Sequence, residues 1–587
     1  PGFEDAIPLP WQTLARLLRQ MDGLPRHLSI HVGGLVITAA PLVEVVPLER
    51  ATMPGRVVVQ WDKDSVEDAG LIKIDLLGLR TLGAVDEALG HIRRGRGLAL
   101  DLDRLPLDDP AVYDLLQRAD TVGCFQVESR AQAQMLPRLR PTRFEDIIVG
   151  VALIRPGPIQ GGMVHPYLRR RAGLEPVTYA HPLLEPALAE TLGVVVFQEQ
   201  VLRVAMAVAG FRPAEADGLR RAMSRSRSGA AMAALRDRFL AGAGANGVEG
   251  ATAEEVWAQL AGFAGFGFCK SHAAAFALLA YQTLYLKAHF PAEFYCALLN
   301  HQPLGFYPPE VLVGDARRHG VPVLGPDVNR SLATCTLERL PTGQTENDTF
   351  STLGIRLGLG YVHGLGEAWQ ARIVERRAPS SGAQEAPYRD LADLCRRARL
   401  PRAVVENLIR AGALDGLGGR GPSARRDLLW ALGGLVYHEE GLDLEIPVVA
   451  ADLPTLGDAQ RLAWEYELLG LAPGTQVMAL YRDVLQRYGV LTSGEVARRR
   501  QGERVRVAGW AVVRQRPPTA GGMLFLTLED EEGLVNLVVR PDVYERYREA
   551  LRSAPLLWVE GQVQREGGAI SVLVYRAASL VPRRPGA

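Results

Sequence analysis

The chain has 587 residues, room for about four domains at ~150 residues each. Hydrophobic residues make up 48% and charged residues 22%, the profile of a packed globular protein, which excludes a disordered or fibrous chain. Lys plus Arg is 66 and Asp plus Glu is 66, so a uniformly basic nucleic-acid coat is excluded and any anion-binding function must rest on local patches.

No run of about 18 uncharged apolar residues predicts a membrane span. Five scattered cysteines (Cys124, Cys269, Cys296, Cys335, Cys395) form no CxxC pair. They argue against structural zinc and a disulfide framework and fit a reducing cytoplasm.

Residues 1 to about 80 predict a short helix over 11–21 and strands near 34–38, 56–60 and 71–76. In the last strand Asp75 sits among apolar residues, where a carboxylate is costly unless paired or metal-bound. Lys73 lies two positions before it and shares its face. That pair reads either as a buried ion pair or as a carboxylate for Mg²⁺ beside a lysine for phosphate. From about 80 to 330 the pattern is mostly helical. Within it, Arg155-Pro156-Gly157-Pro158, followed by Gly161 and Gly162, holds an arginine at a rigid turn, either solvated or suited to phosphate recognition.

Phe197-Gln198-Glu199-Gln200 places polar residues after an apolar run, and Arg220 and Arg221 open a dense arginine cluster that reads as an anion-binding wall or a solvated face. Lys270-Ser271-His272 opens a helix predicted to run to His289, a start that can bind phosphate through amides and side chains. His272 alone reads more simply as a packed histidine. Gly364 and Gly366 precede a helix over 368–376, and a second short helix is predicted over 400–417. Gly-x-Gly ahead of a helix can offer amides to a DNA phosphate, or simply cap an αα-hairpin.

Strands at 505–513, 523–529, 534–539, 556–564 and 570–575, with a helical insert over 541–550, predict a five-stranded barrel, either an oligonucleotide-binding (OB) fold or a barrel with a structural role. Arg506, Arg514 and Arg516 with Trp510 and Phe525 suit single-strand binding, because cations follow phosphates and rings stack on bases.

Taken in order, these segments resemble the C-family bacterial DNA polymerases, the DnaE-type α-subunit family. The resemblance is carried by Ile72-Lys-Ile-Asp75-Leu-Leu-Gly-Leu-Arg-Thr-Leu82, Cys124-Phe-Gln-Val-Glu-Ser-Arg130, Arg155-Pro-Gly-Pro158, Phe197-Gln-Glu-Gln200, Leu219-Arg-Arg-Ala-Met223 and Gly267-Phe-Cys-Lys-Ser-His272. Gly23-Leu-Pro-Arg26-His27-Leu28, Gln60-Trp-Asp-Lys-Asp64, Gln302-Pro-Leu-Gly-Phe-Tyr307, Asp315-Ala-Arg-Arg-His-Gly320 and Arg514-Gln-Arg516-Pro-Pro-Thr-Ala-Gly521 look like the error-prone ImuC branch. Lys270-Ser-His and Leu77-Gly-Leu-Arg-Thr-Leu82 are closer to the replicative branch.

The resemblance implies a multidomain α+β chain. Residues 1–82 would be the end of thumb and palm, 83–345 large, mostly helical fingers and 346–432 tandem helix-hairpin-helix motifs. A mixed connection would fill 433–500 and a C-terminal OB-fold β-barrel 501–587. It implies error-prone, translesion DNA synthesis by two-metal nucleotidyl transfer in the cytoplasm, at the nucleoid, with a replicative α subunit or a non-catalytic DNA-binding fragment as alternatives. Asp75 would ligate one of two Mg²⁺ ions, and Lys73 would screen charge at the primer terminus or α-phosphate. Arg155, Gln198, Arg220, Arg221, Lys270 and His272 would bind the incoming deoxynucleoside triphosphate. Arg26, His27, Gly364, Gly366, Trp510, Arg514, Arg516 and Phe525 would meet primer-template DNA. An ImuB-like protein and a sliding clamp would be partners.

The family's Asp-x-Asp on an earlier palm strand, behind an amino-terminal PHP domain, has no counterpart here. Asp101 and Asp103 fall in a leucine-rich linker and read as surface residues. The resemblance therefore implies a carboxyl-terminal portion with little or no polymerase activity of its own, since one of three ligands cannot organise two ions.

Overall fold

The computed structural model describes residues 8–580, apart from 23, 25–29, 156–161, 224–228, 263–267, 342–350, 378–386, 418–420, 437–443, 446–452 and 518–519. The chain falls into two compact units, Pro1–Arg80 and Thr81–Ala587.

The first unit contains helix α1 (Leu9–Met21), strands β1 (Gly34–Ile37), β2 (Leu48–Arg50) and β3 (Val57–Val59), helix α2 (Lys63–Asp68) and strand β4 (Ile72–Asp75). Asp62 caps α2 by accepting from Ser65 N at 2.8 Å. β1 and β4 form an antiparallel ribbon with Gly34 opposite Asp75 and Val36 opposite Lys73. Every residue of β4 is exposed. Two strands cannot bury a layer of their own.

The second unit starts with α3 (Arg80–Arg96), α4 (Pro110–Arg118), α5 (Arg130–Leu139), α6 (Phe144–Leu153), α7 (Val164–Arg171) and α8 (Glu185–Leu188). It continues through α9 (Gln198–Ala209), α10 (Pro213–Met223), α11 (Gly229–Ala245), α12 (Gly250–Gly262), α13 (Lys270–His289), α14 (Pro291–Asn300) and α15 (Pro309–Arg318). α13 is the axle of this helical body, packing on α4, α6 and α14. Ala273, Ala277, Ala280 and Leu284 recur at helical spacing and are fully buried. Beside them, the Tyr281 hydroxyl donates to Pro106 O at 2.7 Å. No described helix is long and apolar enough to cross a membrane.

Gly242 sets the approach of α11 to α9. A Cβ there would lie 2.0 Å from Ala209 O, a backbone atom that cannot rotate away. Gly242→Ala is expected to cost about 1–3 kcal/mol through overpacking. Gly244→Ala, on the same helix with open space around it, should be neutral or slightly stabilising. Thermal unfolding midpoints of the two variants check the contrast.

A three-stranded sheet follows, in the order β5 (Val323–Leu324), β7 (Ser351–Arg356), β6 (Thr336–Pro341). It leads to α16 (Glu367–Glu375), α17 (Leu391–Ala398), α18 (Arg402–Arg410) and α19 (Arg425–Gly434). A short pair, β8 (Leu435–Val436) and β9 (Leu444–Glu445), precedes α20 (Asp458–Leu469), α21 (Arg482–Arg487), β10 (Val490–Leu491) and α22 (Ser493–Ala497).

The last domain is a closed barrel of β11 (Arg504–Gln515), β12 (Leu524–Glu529), β13 (Leu534–Val539), β14 (Leu556–Glu566) and β15 (Ala569–Ser579). Helices α23 (Pro541–Arg546) and α24 (Arg548–Ser553) lie between its third and fourth strands. The ring runs β11-β12-β13-β15-β14 and closes by pairing of β14 with β11, while β10 extends β11 in parallel. Leu526, Leu528, Leu537, Val559, Val572 and Val574 alternate inward to fill it.

A buried ionic network joins the helical body to this barrel. The Lys287 ammonium of α13 lies 2.9 Å from Asp120 and 2.8 Å from Asp315, and donates to Val122 O at 3.2 Å. His319 reaches Asp120 at 3.0 Å, and Tyr295 donates its hydroxyl to Asp315 at 2.5 Å. Arg318 bridges Asp315 and the barrel's Glu529, each at 3.2 Å.

Candidate nucleotide and nucleic-acid sites

In the helical body, sequence-distant segments converge on the N-termini of α9 and α13. Gln198 N donates to Phe268 O at 3.1 Å. Lys270 N donates to both carboxylate oxygens of Glu199, at 3.0 and 3.1 Å. The Lys270 ammonium pairs with Glu190 at 2.5 Å, and Arg203 approaches the same carboxylate at 3.8 Å. The Arg155 guanidinium stacks 3.8 Å above the Phe268 ring and has no carboxylate partner among the described residues.

His272 is exposed and belongs to an aromatic chain, 5.0 Å from Phe268 and 4.1 Å from Phe276, which in turn meets Phe125 at 5.1 Å. Arg155, Gln198, Lys270 and His272 are therefore brought together. Arg220 and Arg221 lie on α10, which packs on α9, and both hold Asp217, at 2.9 and 2.7 Å.

Sequence reasoning missed Glu190, which pairs with Lys270, and quoted Glu199 and Phe268 within motifs without giving them a role, although the first braces the Lys270 amide and the second stacks under Arg155. It likewise gave no role to Gln200, the last residue of the Phe197–Gln200 segment. That buried amide accepts from Val196 N and Phe197 N at 2.8 and 2.9 Å and donates to Thr191 at 2.7 Å, holding the turn that leads into α9. With its cations partly neutralised by exchangeable carboxylates, the cluster can accept a polyphosphate by trading Glu190 for ligand oxygens.

In the first unit, Asp75 corrects the expectation of a buried acid: 53% of its side chain is exposed. Its Oδ1 accepts from Leu77 N at 2.9 Å, and its Oδ2 lies 3.4 Å from His31. Lys73 is exposed on the same strand face. Arg26 and His27 lie outside the described residues, as do Pro156 to Gly161. Asp101 and Asp103 are exposed, as their linker position suggested.

Three side chains of ligand type, two carboxylates and an imidazole, do cluster elsewhere among the described residues, at Asp120, Asp315 and His319. They line a cleft of about 580 Å³. The Lys287 ammonium already stands between the two carboxylates where a cation would sit, so this group is a salt-bridge core and not a metal centre.

Gly364 adopts a φ of +81° and lies close to Asn407, whose amide donates to His363 O at 3.2 Å. Gly366 caps α16. Their own amides have no acceptor among the described residues, which leaves them presented at the hairpin turn.

In the barrel, the residues chosen as nucleic-acid contacts are engaged within the chain. Trp510 stacks on Tyr466 with ring centroids 5.0 Å apart. Phe525 lies under the Arg130 guanidinium at 4.4 Å. Arg514 donates to the carbonyls of Ala511, Leu551 and Ala554, tying β11 to the end of α24. Arg516 donates to Gly522 O at 3.2 Å and lies over the Tyr544 ring. Trp510 and Phe525 are thus packed against side chains of this chain, which corrects the expectation that both rings stand open for bases, while Arg514 and Arg516 remain exposed with their guanidinium groups bonded within the barrel.

Comparison with known proteins agrees with this architecture. Residues 81–247 match the model of the bacterial DNA polymerase III alpha subunit finger domain, and residues 10–78 that of the bacterial DNA polymerase III alpha NTPase domain. Residues 320–425 match a helix-hairpin-helix motif and residues 505–578 an OB-fold nucleic acid binding domain. An error-prone DNA polymerase of Anaeromyxobacter dehalogenans (strain 2CP-1 / ATCC BAA-258) is 48% identical, over 97% of this chain and 50% of the relative. One from Nocardia farcinica is 46% identical over 97% and 49%, and one from Methylococcus capsulatus 44% identical over 96% and 54%. The chain thus spans about half the length of the curated relatives it matches.

Proposed function

The chain belongs to the DnaE-type family of bacterial DNA polymerases, and from that premise we propose that it supplies the nucleotide-binding fingers and DNA-binding domains of an error-prone, DNA-directed DNA polymerase. The names of its relatives favour the error-prone branch over the replicative one. In this reading residues 83–345 are the fingers, residues 346–432 grip duplex backbone and residues 501–587 attend the single-stranded template. Deoxynucleoside triphosphates and primer-template DNA are the substrates, and an ImuB-like protein and a sliding clamp are the partners.

The observation that carries the reading is Arg155. A guanidinium stacked on Phe268, with no carboxylate partner among the described residues, stands at the segment that leads into the N-terminus of α13, where Lys270 is the first residue. Backbone amides at a helix start, an ammonium and a rigid guanidinium fork together match a triphosphate. Charge developing on the phosphates during transfer would be met by groups already in place. Lys270, released from Glu190, would follow the phosphates, and His272 with the Phe268–Phe276 rings would flank the base or sugar.

A divalent pair would supply charge neutralisation for the transfer. Hard cations of this kind take about six oxygen-rich ligands. Asp75, with the Leu77 amide and His31 as its neighbours among the described residues, accounts for one carboxylate and does not make that cage alone. The chemistry assigned to this chain is accordingly binding and orientation. The test is calorimetric titration of the chain with a deoxynucleoside triphosphate. Arg155→Ala should weaken binding about tenfold or more, the loss of one charge-assisted contact. Equal affinity in the variant and the parent would refute the nucleotide-site reading.

A further inference from the structure

Single-strand binders of the OB fold use the face formed by their second and third strands and the loops at its rim. Here α5 lies across that face. Phe525, Thr527 and Glu529 of β12 alternate outward beside Asn536 of β13, and Thr527 and Glu529 are 1% and 0% exposed. Arg130 of α5 enters from above, donating to Leu537 O at 2.7 Å and to Asn536 at 3.4 Å while covering Phe525. Further along α5, Gln134 donates to Ile570 O at 3.2 Å, Arg138 pairs with Glu566 at 2.7 Å, and Pro137 packs on the Gly567–Gly568 turn. The finger helix lies where an oligonucleotide would.

The opposite wall of the barrel is different. On its outer side Arg506, Glu560 and Arg576 stand in one cross-strand row, with Arg504 and Gln562 in the next. The segment around Met478, Leu485 and Val490 covers the far end of this wall and stops there. Arg504, Arg506 and Arg576 are exposed. The row's one carboxylate, Glu560, lies 3.9 Å from Arg576. The guanidinium groups of Arg504 and the neighbouring Arg498 and Arg500 have no carboxylate partner among the described residues. Tyr488 is 70% exposed, and its carbonyl accepts from Arg506 at 3.2 Å. Cations repeating along a strand beside an open ring match a phosphate backbone with bases to stack.

We propose that single-stranded nucleic acid binds this chain on the outer β11–β14–β15 wall, through Arg504, Arg506 and Arg576 with Tyr488 at its edge, and not on the β12–β13 face that α5 occupies. The proposal rests on the reading of the chain as a DNA-binding polymerase portion and moves its template contact to an unassigned surface.

Fluorescence anisotropy with a labelled oligo-dT strand, read over a salt series, tests it. The triple variant R504A/R506A/R576A should bind at least tenfold more weakly at low salt. Its slope of log affinity against log salt should fall by about 2, at ~0.7 per phosphate contact. Arg548→Ala, on the remote α24, should match the parent. A triple variant that binds with the parent's affinity and slope would overturn the surface while leaving the DNA-binding reading intact, as would loss of binding on Phe525→Leu. A parent chain that fails to bind the strand even at low salt would remove both.

Discussion

Replacing Lys287 with methionine is expected to cost about 3–5 kcal/mol, the penalty of leaving buried charge uncompensated. The ammonium is fully buried and is the shared partner of Asp120 and Asp315. Those carboxylates hold their pKa values below the ordinary range despite burial, because the ammonium and nearby cations outweigh desolvation. Methionine fills the stem's volume but leaves two carboxylates facing one another. His319 and Arg318 remain as their only cations in the network.

Since Arg318 also holds Glu529, loosening should spread from α13 to the barrel seam. Urea titration should show an earlier transition, and amide exchange should locate the loss in α13, α15 and β12. Adding Asp120→Asn and Asp315→Asn to the variant should recover much of the stability, because the cost lies in unpaired charge and not in a missing contact. A Lys287→Met protein with the parent's urea midpoint would show that the network contributes no net stability.

How much of this was legible follows from which interactions are local. The helix predicted over 270–289 is α13 itself, because its apolar spacing and the following Pro291 are written within one segment. The barrel strand predicted at 534–539 is β13 for the same reason: Val535, Leu537 and Val539 alternate inward. Asp75 was misjudged because alternation of Ile72 and Ile74 with polar residues resembles a half-buried strand, yet the two-stranded ribbon has nothing to bury it against.

Trp510 and Phe525 have the right chemistry for bases, but their partners Tyr466 and Arg130 come from distant segments that no local pattern announces. The same holds for Glu190 beside Lys270 and for Asp120 and Asp315 around Lys287. Arg155 was identifiable because glycine and proline around it mark a constrained turn. What it stacks on was not.

Stability should fall as pH rises from 5 to 8, opposite to the usual behaviour of proteins rich in surface ion pairs. Burial pushes the carboxyls of Glu128, Glu310 and Glu529 up to about 7. Glu128 accepts from Gly123 N and Phe306 N at 2.8 and 2.7 Å, and Glu310 from the Tyr466 hydroxyl at 2.6 Å, yet neither gains enough to offset desolvation. Below about 4.5 these groups are protonated in both folded and unfolded chains. Between 4.5 and 7 the unfolded chain ionises first, so the folded state binds more protons and loses relative stability as pH rises.

A rise from 4.5 to about 7 corresponds to about 3 kcal/mol for each group at ~1.4 kcal/mol per unit. His319, raised by its bond to Asp120, acts in the same direction: its stabilisation is complete below its unfolded value and is lost as pH climbs through its folded one. The depressed Asp120, Asp315 and Asp393 contribute stability that disappears only in stronger acid. Denaturation midpoints should therefore be highest near pH 5 and lower by pH 8. Glu310→Gln keeps the acceptor for Tyr466 while removing the ionisation, so it should leave stability near pH 5 unchanged, raise it at pH 8 and flatten the profile between them. A parent profile that climbs from pH 5 to 8, or a Glu310→Gln profile parallel to the parent's, would show that these carboxyls ionise without penalty in the folded chain.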